Sequence, residues 1–554
     1  MGIQTGWLAP PAAIGGIDHL GTQTPCQLVY AQLVPGITNV TDRARYYSLY
    51  PWVIWSYEQR FKGTESAHFV QHFRRADFLL TLVAEHHARG LNEPDFLHGA
   101  AMAGRSQLAN ATKQLQETGV IDLDTFATRE EVPSRYFKQT LGGLGQYYVG
   151  TLTELSLLNT EKRDWVRYTA TLGLPLAEAV EEIVPSDLFW KVVASGSVLA
   201  TDLNALAAFC PCGLRAGTQE YRLLEELFFS EGAYYATAEG GRQRRLSLAL
   251  LLHLAESLST IDDANFDVMA FRGAIYSGYL PDGQQWQVPS TLQATRECWH
   301  IYQSNELLSV AFLSLFASTL DLLAERQKAG DIAFPTIEAL ASHVSTGVFG
   351  DALEAACKTP SFGEYLDRLA EAAPSVGDWT HEAHEHQLGN HLVGSAREGH
   401  ESEALVVQAF RVIALLAIRV DESRSAYDGI LLAQDDLQRY PINLESFRAR
   451  LSTWRKASVR EVLQDITHWC LATHLSVALR KLRETSRSTF RFRLGERGIE
   501  IVDVTPLPTR TTPRFNQSTQ ILIDMGALCP GGSERHSDVM VTNIGRHWME
   551  RHAH

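Results

Sequence analysis

Apolar residues recur at three- and four-residue spacing over residues 69–85, 246–258, 306–326 and 404–420, a period that predicts helices with one buried face. Alternation of period two is scarce. It is clearest over 490–494 and 498–504, which predict a hairpin turning through Gly495-Glu496-Arg497-Gly498. The expected class is mainly α: a multi-domain helical protein carrying small β hairpins. Turn residues mark joints at 133–137, 281–289, 374–378 and 506–513. The expected division is an N-terminal helical domain over 1–132, an internal module over 133–185, a central helical domain over 186–440 and a basic C-terminal region over 441–554.

Two stretches share one order of elements. Residues 512–552 read as a helix ending in a Met-Gly-Ala-Leu turn, a short Gly-rich hairpin and a closing helix started by a threonine. Residues 142–180 read as a helix over 145–158, a charged hairpin over 159–168, and Thr-Ala-Thr-Leu-Gly leading into a helix. The glycine relaxes the turn, while the threonine can accept a backbone N–H at the helix start. Both patterns predict winged-helix-like modules, the C-terminal one first. In a DNA-reading winged helix, the helix 514–525 enters the major groove. Arg514, Asn516 and Gln517 are then candidates for contacts to base edges. That helix carries little positive charge, and the hairpin 530–537 has one Arg, one Glu and one His, so protein docking stays open as its use.

Composition is ordinary for a globular chain of several folding units, with 554 residues, 45% of them hydrophobic and 20% charged. A net charge of −15 argues against a chain that binds polyanions over its whole surface. The charge is uneven. Residues 441–514 hold fourteen Lys and Arg against seven Asp and Glu, a local balance of +7 that leaves −22 for the remainder. Within this block, Arg480, Lys481, Arg483 and Arg487 are expected on a helix docked by Leu475, Leu479 and Leu482. The following strand alternates Phe490, Arg491, Phe492 and Arg493, giving one aromatic and one basic face. These cations are the candidate phosphate contacts; docking of the basic face onto the acidic body is the alternative.

Seven scattered cysteines and an N-terminus (MGIQTGWLAPPAAIGG) with no basic region before an apolar core predict a cytoplasmic protein with reduced thiols. The longest apolar run, 307–324, contains three serines, a threonine and Asp321, and predicts a buried helix in place of a membrane span.

No phosphate-binding GxxxxGK[ST] loop, nucleophile elbow or kinase motif set occurs. In HEAHEHQLGNH (381–391) the first two histidines are three apart, so the zinc-protease spacing of four fails. A pair there, with His400 downstream, is the basis of a rival reading as a metal-dependent nuclease using His381, His384 or His386. Cys210-Pro211-Cys212 places two thiols too close for the usual CxxC knuckle, with no second pair nearby, and reads as small residues packed in a turn after a helix over 203–209. Asp262, Asp263 and Asp267 read as a helix-boundary turn. No catalytic residue, metal ligand or cofactor is assigned.

The runs VPGITNVTDRARYYSLYPWVIW (34–55), FRRADFLLTLV (73–83) and GGLGQYYVGTLTELSLL (142–158), with KLRE and TPRFNQSTQILIDMGAL near the end, resemble bacterial protein families encoded in multi-gene antiphage defence islands. Neighbours there include helicases, nucleases and SMC-like ATPases. The resemblance implies work within a multi-protein complex and supplies no activity or catalytic residue. Read from the residues themselves, Arg43, Arg45, Tyr46, Tyr47 and Trp52 are partner-binding candidates, because Arg and aromatic side chains dominate binding hot spots. They could also stack on single-stranded bases, or form a core corner of buried rings. If the segment is helical, Asp42 can pair with Arg45 across one turn.

The function expected is a non-catalytic DNA-associated or scaffolding subunit of a bacterial antiphage defence complex, working with a separate ATPase or nuclease. Its partners would be other subunits and double-stranded DNA, with no membrane. A metal-dependent nuclease, and a protein–protein adaptor that never touches nucleic acid, are the alternatives.

Overall fold

The computed structural model describes residues 18–552 apart from 63–65, 92–96, 99, 101, 161–165, 233, 235–237, 332–333, 400, 421–426, 428–429, 431–433, 497, 504 and 531–538. Helices hold 66% of the residues and strands 6%, so the chain is mainly α, and its described strands form two-stranded antiparallel ribbons. All four periodic stretches are helical, as Ser66–Leu91, Ala238–Leu258, Ser290–Lys328 and Ser402–Arg419.

The chain gathers into two compact units, each assembled from separated stretches. One comprises Met1–Tyr30, Met269–Gln287 and Arg296–Pro513; the other comprises Ala31–Val268, Val288–Thr295 and Arg514–His554. This differs from the four consecutive segments expected: the C-terminal module belongs with the N-terminal half of the chain, and the basic block does not.

In the first unit, helix Val459–Thr485 packs on helices Ile337–Thr346 and Val348–Cys357, and Ser402–Arg419 packs on Val348–Cys357 and Glu385–Glu398. Ser458 starts the long helix by accepting from Glu461 N at 3.2 Å, while the Glu461 carboxylate takes the Ser458 N–H at 2.7 Å. Helix Ser290–Lys328 is long and apolar enough to cross a membrane, yet 83% of its apolar window is buried inside the fold. Two of its polar interior residues are matched locally: Ser314 and Thr319 donate to carbonyls one turn back, at 2.8 Å each. Strands Phe492–Gly495 and Gly498–Ile501 form the predicted hairpin, in register Phe492 to Ile501; Val504 lies outside the described residues.

In the second unit, helix Tyr46–Arg60 packs on Gly173–Glu181, and Ser66–Leu91 on Leu123–Ala127 and Ser186–Ser195. A ribbon that the sequence reading missed pairs Val120–Asp122 with Ser197–Leu199. Each strand follows a helix closed by a glycine in the left-handed region, Gly119 at φ 76° and Gly196 at φ 73°. Three residues are too few to show a period of two, so only the glycines could have signalled it.

Candidate functional site

Two helix–hairpin–helix modules lie in the second unit, and their turns are built alike. The C-terminal one runs Phe515–Asp524, Leu528–Pro530, Val539–Val541 and Asn543–His552; the internal one runs Val149–Glu154, Leu158–Asn159, Arg167–Tyr168 and Gly173–Glu181. The hairpin tips at 531–538 and 161–165 are outside the described residues. Thr542 Oγ1 donates to Gly526 O at 2.7 Å and accepts from Gly545 N at 3.2 Å. Thr169 Oγ1 donates to Ser156 O at 2.7 Å and accepts from Gly173 N at 2.9 Å. The backbone repeats the match, with Thr542 N on Ala527 O at 3.0 Å and Thr169 N on Leu157 O at 2.9 Å. A Cβ on Gly545 would sit 2.3 Å from Ala527 O, and one on Gly173 would sit 2.2 Å from Leu157 O. The shared signal is therefore a threonine hydroxyl that bridges two chain segments and a glycine pressed against a carbonyl.

The helix expected to read bases is enclosed. Phe515 and residues 517–523 of Phe515–Asp524 are buried, and only Asn516 is exposed. Gln517 donates to Asn39 O at 3.2 Å, and Arg514 donates to Val34 O at 3.0 Å. A helix covered on nearly every face cannot enter a major groove, so Arg514, Asn516 and Gln517 do not form a base-reading surface in this fold. Residues distant in the chain cover its polar side, so the polar run 517–520 is as enclosed as Ile521, Leu522 and Ile523.

The basic block divides. Arg491 turns inward, buried, and pairs with Asp503 at 2.5 Å. Its backbone N–H donates to His474 Nε2 at 3.0 Å, while His474 Nδ1 donates to His19 O at 3.0 Å. Burial, then the nearby Arg491 charge, holds that imidazole neutral, with its pKa down at about 4 despite the His19 carbonyl. The expected common face of Arg491 and Arg493 is thus broken. Lys481 donates to Asp18 O, and Arg480 donates to Arg439 O at 2.6 Å while lying 4.7 Å from the Tyr440 ring centre. Arg493 is 68% exposed and pairs with Glu500 at 2.9 Å. Arg483 and Arg487 are exposed and have no carboxylate partner among the described residues. Arg487 lies beyond the helix, which ends at Thr485 with Ser486 at φ 56°. The docking stripe is also offset from the one expected: Leu471, His474, Val477 and Ala478 are buried, while Leu479 is 54% exposed.

The N-terminal candidates are interior residues. Tyr46, Tyr47 and Trp52 are buried, and Arg43 and Arg45 are 0% and 1% exposed. They offer no surface to a partner, because each finds its match inside the unit. Arg43 pairs with Asp524 through Nη2 at 2.9 Å and donates to Ala100 O at 2.9 Å and Leu97 O at 3.1 Å. Arg45 pairs with Glu220 at 3.1 Å, not with Asp42, and donates to Ala208 O and to Cys210 O at 2.6 Å. The Tyr46 hydroxyl accepts the Ala103 N–H at 3.1 Å.

The carbonyls held by these arginines flank a cluster that sequence reasoning missed. His87, in the last turns of Ser66–Leu91, and His98 meet Cys210 and Cys212, all four ligand atoms lying within 4.8 Å of one another. His98 Nδ1 is 3.2 Å from Cys210 Sγ, and His87 Nδ1 is 3.4 Å from Cys212 Sγ. The hydrogen bond shared by the two thiols, helped by the His98 and His87 imidazoles, lowers Cys212, while that same bond and burial raise Cys210. The only signal in the sequence was Cys-Pro-Cys itself; its partners lie more than a hundred residues upstream.

Among the described residues, the histidine-rich segment does not converge on a metal geometry. His381 is exposed, His384 caps helix Glu385–Glu398 by accepting from His386 N at 3.1 Å, and His386 is buried against Trp379. His400 is outside the described residues. Glu385 is engaged by Arg419 at 3.0 Å and Tyr276 at 2.7 Å. Another buried carboxylate, Glu306, is saturated by Arg272 at 3.2 Å, Arg510 at 2.9 Å, Tyr302 at 2.9 Å and the Thr511 backbone N–H at 2.9 Å. Burial raises its pKa, but Arg272 and Arg510 outweigh that and keep it below the usual range. Such a carboxylate is a structural anchor, not a proton carrier. Asp262 and Asp263 lie in the turn after Ala238–Leu258, with Asp263 at φ 61°. No protein-family model, no curated protein and no solved structure matches the chain.

Proposed function

We propose that the chain is a non-catalytic scaffolding subunit of a bacterial antiphage defence complex, acting in the cytoplasm beside a separate ATPase or nuclease and touching double-stranded DNA through its phosphates. The defence setting rests on the resemblance of 34–55, 73–83, 142–158 and the C-terminal stretch. The two helix–hairpin–helix modules are read as winged-helix-like units used for internal architecture.

The observation that carries the DNA contact is the exposed pair Arg483 and Arg487, with no carboxylate partner among the described residues. Arg493 adds a third exposed cation, half committed to Glu500. Phosphate contact needs only accessible cations, whereas base readout needs a helix or ribbon in a groove. Binding should therefore be independent of sequence and strongly salt-dependent. Removing two contacts, as Arg483→Glu with Arg487→Glu, should lower the slope of log affinity against log salt by about 2. Absence of any DNA association at low salt would remove the nucleic-acid part.

A pure adaptor is the second reading, favoured by Leu479 and Leu494, apolar side chains 54% and 58% exposed beside these cations in sequence. It predicts a co-purifying protein whose binding survives the double Arg variant and fails in Leu479→Asp.

A further inference from the structure

We propose that His87, His98, Cys210 and Cys212 bind one zinc ion, and that Arg43 and Arg45 position the two loops that carry three of these ligands.

The donor set is the first argument. Two imidazoles and two thiols are a closed four-ligand set for zinc, with no position left for water or substrate, which marks a structural site. Zinc–sulfur and zinc–nitrogen bonds of about 2.3 and 2.0–2.1 Å place sulfur and nitrogen ligands on a tetrahedral ion about 3.5 Å apart. The two nitrogen–sulfur separations here are 3.2 and 3.4 Å. Thiol–imidazole hydrogen bonds would account for each pair separately. They do not require that both pairs converge, yet all four atoms fall within 4.8 Å of one another.

Local backbone explains how a spacing of two serves where three is usual. Cys210 is extended at φ −58° and ψ 147°, Pro211 opens a single 3-10 turn, and Gly213 N closes it onto Cys210 O at 2.8 Å. That bend turns both sulfurs to one side. Gly213 is required by close approach, since a Cβ there would lie 2.5 Å from both Ala208 O and Arg45 Nη1.

The surrounding contacts preorganise the site. Arg43 holds Leu97 O and Ala100 O on either side of His98, and Arg45 holds Ala208 O and Cys210 O at the cysteine turn. Asp524 and Glu220 fix the two guanidiniums from behind. The Arg-Ala-Arg of 43–45 therefore acts one step removed from the ligands, as outer contacts do around metal sites. Cys210 and His98 are buried while Cys212 is exposed, so an ion would close the open side of the cluster. Zinc takes both cysteines as thiolates, any proton they carry leaving to solvent.

The test uses the full chain, purified under reducing conditions without chelator. Elemental analysis should find one zinc per chain. Cobalt(II) replacing it should show tetrahedral d–d absorption with a thiolate-to-cobalt charge-transfer band. Cys212→Ser and His87→Gln, both at the more accessible side of the cluster, should lose stoichiometric zinc while far-ultraviolet circular dichroism stays helical. Cys212 in the wild type should resist alkylation until a chelator is added. Sub-stoichiometric metal in wild type, with no cobalt spectrum on titration of the reduced chain, would overturn the proposal. Equal zinc in wild type and Cys212→Ser would overturn it too. The wild-type cobalt spectrum decides the matter even if a variant fails to fold.

Discussion

The stretches 43–52 and 480–493 look alike on paper, each a set of cations interleaved with aromatic or leucine side chains, yet the fold buries Arg43 and Arg45 and leaves Arg483 and Arg487 exposed. Arg43 and Arg45 are 0% and 1% exposed, each bound to a carboxylate and two carbonyls. Arg483 and Arg487 stay in solvent. A guanidinium presents five donors and is never neutralised by burial, so it enters a core only where enough acceptors converge. Those acceptors are remote in the chain: Asp524 is 481 residues from Arg43, and Glu220 is 175 residues from Arg45. Local composition cannot separate a buried structural arginine from an exposed binding one. The distribution of distant carboxylates does.

Removing a buried cation should have the largest effect. Arg45→Ala strands Glu220 in the interior, where the Ser48 hydroxyl, at 2.5 Å, is its remaining side-chain partner among the described residues. The expected loss is about 3–5 kcal/mol in unfolding free energy, read by denaturant titration with a tryptophan probe. An Arg45→Ala chain that unfolds at the wild-type midpoint would show that the guanidinium is dispensable. Asp77 sharpens the contrast, because its direct donors are neutral: Tyr50 OH at 2.9 Å, Tyr136 OH at 3.0 Å and Gly143 N at 2.7 Å. Burial raises its pKa from 3.8 to about 6, against the pull of those hydrogen bonds. A folded pKa above the unfolded one means the folded state keeps the proton longer. The resulting stabilisation is complete below the unfolded pKa and is lost as pH rises to about 6, a swing of about 3 kcal/mol. Asp77→Asn cannot titrate. The wild-type minus variant stability should therefore fall between pH 4 and pH 6.5, by about 3 kcal/mol. A difference that is flat across that range would mean Asp77 ionises normally.

Helices were legible because a period near 3.6 survives over many turns, as in 69–85 and 404–420. Unit boundaries fall at Gln287 and Pro513, within the turn-rich stretches 281–289 and 506–513, whereas 133–137 and 374–378 lie inside the units. The discontinuous units were not legible, because nothing local tells Arg514–His554 to join the N-terminal half. Helix order within the modules could be read from turn residues, but the burial of residues 517–523 could not, since Gln517, Ser518, Thr519 and Gln520 look solvated until their neighbours are known. The Cys/His cluster failed for a similar reason: Cys210 and Cys212 are local, while His87 and His98 are brought in by the fold.

Smaller effects test the repeat and the exposed arm. Gly173→Ala and Gly545→Ala each drive a methyl into a backbone carbonyl, and each should cost about 1–3 kcal/mol. Equal losses would support one turn design used twice; a neutral Gly173→Ala would limit it to the C-terminal copy. The smallest change is expected for Arg483→Glu with Arg487→Glu. Neither side chain has a carboxylate partner among the described residues, so stability should stay within about 0.5 kcal/mol of wild type. Arg483 sits beside Glu484, and Arg439 already pairs with Glu484, so a new acid at 483 adds only screened surface repulsion. Raising salt should shrink even that residual difference. A loss comparable to that of Arg45→Ala would mean these arginines are anchored as firmly as the buried pair, and the contrast between the two stretches would collapse.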